Sequence, residues 1–92
     1  MSDNHSSRQL AIKALQANPY IFSISKYQAR LNDPSFDITF EQLGMDSLAR
    51  MELSIWLEVE CRFEVTEAEI TEMNSLVGLI QFIETHKGNQ QE

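Results

Sequence analysis

The sequence predicts an all-α fold: a small bundle of three to four helices with a long first loop. Three observations lead there. Glycine and proline are scarce, at 3 and 2 of 92 residues, which disfavours a meander of tight turns. Leu, Glu, Gln, Ala, Ile and Met, all compatible with helices, are plentiful. Apolar residues also recur at helical spacing in well-separated stretches.

A first helix is expected from near Ser6 or Ser7, either of which can cap it. It carries Leu10, Ala11, Ala14 and Leu15 on one side and stops before Asn18-Pro19. Asn18 as a cap with Pro19 in the first turn would suit a second helix, with Tyr20, Ile24, Tyr27 and Leu31 at helical spacing. The β-branched and aromatic run "YIFSIS" argues the other way, so residues 18–31 read as a helical extension or an ordered loop. The long connection "LNDPSFDITFEQLGMD" follows, with Ile38, Phe40 and Leu43 expected to turn inward. Gly44 supplies a turn, Asp46 a cap, and a strong helix runs from Ser47 to Cys61 or Arg62. Thr66 can cap a short helix over "EAEI". A last helix begins after Asn74 or Ser75 and buries Leu76, Leu79, Ile80 and Ile83. His86 and Lys87 suit its C-terminal dipole, and Gly88 the position just past its end. The length suggests a single domain over 1–92, with an ordered core at about 7–86 and polar tails at 1–6 and 88–92.

Composition narrows the function. The net charge of −7 disfavours nucleic acid and anionic membrane surfaces, and favours a protein partner with a basic patch. Cys61 is the only cysteine, so no internal disulfide can form, which fits a reducing cytoplasm. Its expected role is a small, partly buried apolar residue. "MSDNHSSRQL" is polar and unlike a signal peptide, and no apolar run approaches the ~20 residues of a membrane span. A soluble cytoplasmic protein is expected, without membrane or nucleic acid partners, and as a monomer. A chain of this size has little surface for a deep catalytic cleft. His5 and His86 give no metal-ligand spacing.

The helix after Ser47 has two apolar faces. On a wheel of about 100° per residue with Ser47 at zero, Met51, Ile55, Leu48 and Val59 fall at roughly 40°, 80°, 100° and 120°. Leu53 and Leu57 fall nearly opposite, at roughly 240° and 280°. One face can enter the bundle, and an outward apolar stripe then needs a reason. Glu58 and Glu52 flank the Leu48–Met51–Ile55 stripe, the pattern of a docking surface for a groove edged by Lys or Arg. The alternative is a central helix buried on both sides. Trp56, at about 180°, reads as core. Ser47 lies beside the stripe at the helix N-terminus, where free N–H groups and the dipole favour an anion such as a phosphate ester. A cap or first-turn serine and a chemical handle both fit these residues alone.

"FEQLGMDSLARMEL" resembles the attachment motif of acyl carrier proteins, of the form F-x-x-L-G-x-D-S-L-x-x-x-E-L. Phe40, Leu43, Gly44, Asp46, Ser47, Leu48, Glu52 and Leu53 match it. "FEVTEAEI" resembles that family's approach to its short third helix, and "NSLVGLIQFIE" its last helix. The likeness spans about residues 36–85 and implies an acyl-carrier-protein-like bundle. It implies that a phosphopantetheinyl transferase modifies Ser47 with 4'-phosphopantetheine, whose thiol carries acyl groups as thioesters. Asp46 would orient the transferase, its metal ion and the phosphate region. Leu48, Met51, Glu52, Ile55 and Glu58 would form the partner-binding face, read by acyl-loading and acyl-processing enzymes with basic docking patches. The chain would be a carrier and not an enzyme.

There are departures from the pattern. Arg50 stands in turns that are often acidic in the family, and Trp56 is bulkier than the usual small residue. The spacing in "TFEQLGMDS" resembles carriers of polyketide and nonribosomal peptide pathways more than the usual fatty-acid carrier. "GMDSL" favours an acyl over a peptidyl carrier, whose motif more often reads G-G-H/D-S-L. An aminoacyl or peptidyl carrier and an unmodified helical interaction module are the alternatives. A calcium loop fits poorly, since Gln42 would take its last ligand position and Phe36 its glycine position. A serine hydrolase elbow needs glycines two residues either side of the serine, where Met45 and Ala49 stand.

Overall fold

The structure is a computed structural model that describes residues 3–62 and 64–89. The outermost tail residues 1–2 and 90–92, and Phe63 of "FEVTEAEI", lie outside the described residues. The fold is an all-α bundle of the expected acyl-carrier type: α1 (Asp3–Gln16), a 3-10 helix (Ile24–Arg30), α2 (Ser47–Cys61), α3 (Glu67–Met73) and α4 (Leu76–Asn89). Among the described residues the nearest thing to a strand is one isolated bridge, Thr39 with Ser75.

The expected start of α1 needs correction. The helix begins at Asp3, so Ser6 and Ser7 lie inside it. A capping residue marks where a helix can begin, and preceding residues that tolerate helical backbone can extend it. Ser7 is instead fully buried, its hydroxyl without a hydrogen-bond partner. Arg8 is buried beside it and donates to the carbonyls of Leu31 and Phe36. That ties α1 to the long connection. Ala11, Ala14 and Leu15 fill the core as expected, and α1 packs chiefly on α4.

Asn18 does not cap a second helix. Its side chain is buried; Nδ2–H donates to the Ala49 carbonyl at 2.8 Å, and Oδ1 accepts from Tyr20 N–H at 3.0 Å. Asn18 is therefore a rivet between this segment and α2. The ordered-loop reading of 18–31 holds, with a 3-10 helix as its regular part. Leu31 is buried, Ile24 and Tyr27 pack on the core, and Tyr20 faces out. Tyr27 stacks on Phe36 with ring centroids 6.1 Å apart.

The long connection is bound in by its apolar residues and its backbone. Ile38, Phe40 and Leu43 are buried. Phe40 N–H donates to Asn74 C=O, and Leu76 N–H to Ile38 C=O, both at 2.9 Å. The open amides at the start of α4 are nearly all satisfied. Val77 N–H donates to Asp37 Oδ1 and Gly78 N–H to Ser75 Oγ. A Cβ on Gly78 would lie 2.0 Å from the Met73 carbonyl oxygen, so only glycine lets α4 turn this close to α3. Leu76, Leu79, Ile80 and Ile83 are buried as expected. The far end of α4 is corrected, since the helix continues through Gly88 to Asn89. A glycine weakens a helix by only about 1 kcal/mol relative to alanine and does not by itself end one.

Candidate attachment site at the start of α2

Three residues set the entry to α2. Gly44 adopts φ +73°, the left-handed backbone that glycine accepts without strain. Met45 then tucks into the core, its amide donating to Phe40 C=O at 3.0 Å. Asp46 is the N-cap, and its Oδ1 accepts from Ala49 N–H at 3.0 Å. Ser47 is the first helical residue and is exposed. Capping thus falls to Asp46. Among the described residues no hydrogen bond engages the Ser47 hydroxyl or the N–H groups of Ser47 and Leu48.

An open groove of ≈ 450 Å³ lies at this end, lined by Met45, Asp46, Ser47, Arg50, Glu67 and Thr71. Glu67 and Thr71 come from α3, which packs against α2. Sequence reasoning missed both, because helical periodicity places residues on their own helix and not opposite a neighbour. α3 is held by the expected Thr66 cap, extended into a reciprocal box: Glu69 N–H donates to Thr66 Oγ1 and Thr66 N–H to Glu69 Oε1. The Thr66 amide, the main cause, and its hydroxyl hold the Glu69 carboxyl below its ordinary value. The Ser35 amide and hydroxyl do the same for Asp33.

The two faces of α2 separate as the wheel requires. Leu53 and Leu57 have no exposed surface, and Ala49 is buried with them. Leu48, Met51, Ile55 and Val59 remain 47%, 47%, 45% and 65% exposed. Glu58 is exposed and Glu52 half-buried on the flanks of this stripe. Trp56 is partly buried and packs against the core. Every expected partner-face residue therefore lies on one accessible side of α2, continuous with Ser47. The reading of α2 as buried on both faces is overturned.

The remaining candidates stay apart from this end. Cys61 is partly buried at the far end of α2. His86 Nδ1 lies 3.0 Å from the Phe82 carbonyl oxygen on α4. Among the described residues no group of His, Cys, Asp or Glu could hold a metal ion, and no helix is long and apolar enough to cross a membrane.

The family model of the phosphopantetheine attachment site matches residues 28–83, more than half of the chain. The chain belongs to the acyl carrier protein family. The covalent cofactor of this carrier protein is 4'-phosphopantetheine, and carrier domains work with phosphopantetheinyl transferases and acyl-processing enzymes. Comparison with curated proteins gives no match, and neither does comparison with solved structures. The site's chemistry fits the cofactor. An unengaged hydroxyl, uncommitted backbone amides, an open groove and a guanidinium meet at one helix end, which suits a phosphate ester.

Proposed function

We propose that Ser47 is the attachment residue of this carrier and that the exposed stripe of α2 docks its partner enzymes. The observation that carries the reading is the exposed Ser47 hydroxyl, relieved of capping by Asp46 and adjoining the Leu48–Met51–Ile55 stripe. Transfer from coenzyme A forms a bond between Ser47 Oγ and the phosphorus next to the pantetheine and breaks the pyrophosphate bridge, releasing adenosine 3',5'-bisphosphate. The hydroxyl proton passes to a base of the transferase. Asp46, exposed beside Ser47, orients the transferase and its metal ion. When bound, the cofactor supplies a thiol that carries acyl groups as thioesters. The chain itself holds the arm at a fixed helix end and presents a carboxylate-flanked apolar strip that basic grooves fit. The "GMDSL" core supports an acyl cargo, carried between enzymes of fatty-acid, polyketide or related natural-product biosynthesis, and the "TFEQLGMDS" spacing is nearer that of polyketide and nonribosomal peptide carriers.

The test is intact mass. Wild type incubated with a promiscuous phosphopantetheinyl transferase and coenzyme A should gain one phosphopantetheine, and Ser47→Ala none. An unchanged wild-type mass would sink the proposal and leave an unmodified interaction module.

A further inference from the structure

Arg50 has more reach than its packing role uses. It is half-buried on the first turn of α2, three residues after Ser47. Residues at this spacing are neighbours on a helix surface, and side chains lean back over the preceding turn. Arg50 does so: its Nε–H reaches the Met45 carbonyl, before the helix starts. That bond is long, at 3.4 Å, and weak by ordinary criteria. Among the described residues no carboxylate comes within ion-pair distance of the guanidinium, although Asp46 and Glu67 line the same groove. The terminal nitrogens are left uncommitted on a residue that lines the same groove as Ser47.

The charge balance of the groove gives this cation a task. Its other ionisable lining groups are the carboxylates of Asp46 and Glu67, on a chain of net charge −7. A phosphodiester on Ser47 would add a further negative charge there. The helix dipole offsets part of the repulsion. A planar guanidinium, with its fork of donors, matches two phosphate oxygens at once, whereas an ammonium offers a single point charge.

We propose that Arg50 is a cofactor-binding residue that holds the phosphodiester of the arm against the first turn of α2 and so sets the direction in which the arm leaves Ser47. This rests on Ser47 being the attachment residue. Glu67 and Thr71, on the opposite wall, then bound the path of the arm through the groove.

The test uses the full chain, apo and after complete modification, with intact mass as the first check. The main readout is wild type: the NMR resonance of Arg50 Nε–Hε should shift between the apo and modified forms. The phosphorus resonance of the modified protein should move when salt is raised from low to molar concentration, because screening weakens the pair. In Arg50→Gln the phosphorus resonance should sit near that of a phosphopantetheinylated unfolded peptide and lose its salt dependence. Arg50→Lys should lie between. Circular dichroism checks the fold of each variant, and the wild-type measurements stand without them. If wild type gains its mass but the Arg50 resonance and the phosphorus salt dependence stay flat, the inference is overturned and the attachment proposal survives. If wild type gains no mass, both fall.

Discussion

The two apolar faces of α2 have the same chemistry and opposite fates. Leu53 and Leu57 are completely enclosed, while Leu48, Met51, Ile55 and Val59 keep about half or more of their surface in solvent. Hydrophobicity does not separate the two sets. Angle around the helix does, because a bundle this small closes over only one side of it. The enclosed face is satisfied by the chain itself, through α3 and α1. Carboxylates such as Glu58 edge the open face, and its apolar residues are spaced along the helix from Leu48 to Val59. The proposed attachment at Ser47 calls for that division: a rigid inner face to fix the serine, and an outer one left open for partner enzymes.

The widest gap between the faces should appear on truncation to alanine. Leu53→Ala or Leu57→Ala should lose about 2–5 kcal/mol, through lost burial and a residual cavity. Ile55→Ala should stay within about 0.5–1 kcal/mol, as for an exposed site. Urea denaturation measures both, and an Ile55→Ala cost matching Leu53→Ala would erase the distinction.

Asn18→Ala tests what holds the inner face in register. It leaves the buried Ala49 carbonyl without its donor, at a cost of about 1–3 kcal/mol. Amide exchange should then rise first at the N-terminal turns of α2. Unaltered stability would show that the rivet does not restrain the helix.

On the outer face, Met51→Glu or Ile55→Glu should leave circular dichroism almost unchanged. Turnover by partner enzymes should fall about tenfold, the effect of losing one contact worth ~1.4 kcal/mol. A lost helical signal instead would move these residues into the core.

The smallest expected effect is at α3, which walls the groove. The carboxyl of Glu69 sits below its ordinary value because Thr66 binds its charged form. A depressed folded value stabilises at pH above the ordinary carboxylate range, and that contribution disappears as pH falls through the lowered value. The Thr66 amide resonance should therefore titrate in acid, and in Glu69→Gln that step should be absent. A Thr66 amide that ignores pH would remove the box.

What the sequence shows and hides follows the range of each interaction. Asp46, Thr66 and Ser75 act on amides a few residues away, so their spacing alone reveals them. The stripe of α2 is likewise written in one helix's periodicity, and the Phe40–Leu53 motif carries the family. Arg8 and Asn18 are different. Their partners lie 23, 28 and 31 residues on, and both residues carry strong local signals for something else. Asn18-Pro19 reads as a helix start until the Ala49 carbonyl competes for the side chain. The groove wall of Glu67 and Thr71 was hidden for the same reason, since only packing of α3 on α2 brings it to Ser47.

The central claim is that Ser47, and no other hydroxyl, is the handle. Cleavage after Arg30 and Arg50 yields one peptide, residues 31–50, in which the only serines are Ser35 and Ser47. Fragmentation of that peptide from the modified protein should place the whole phosphopantetheine mass on Ser47. Mass on Ser35, or on any other peptide, would contradict the account.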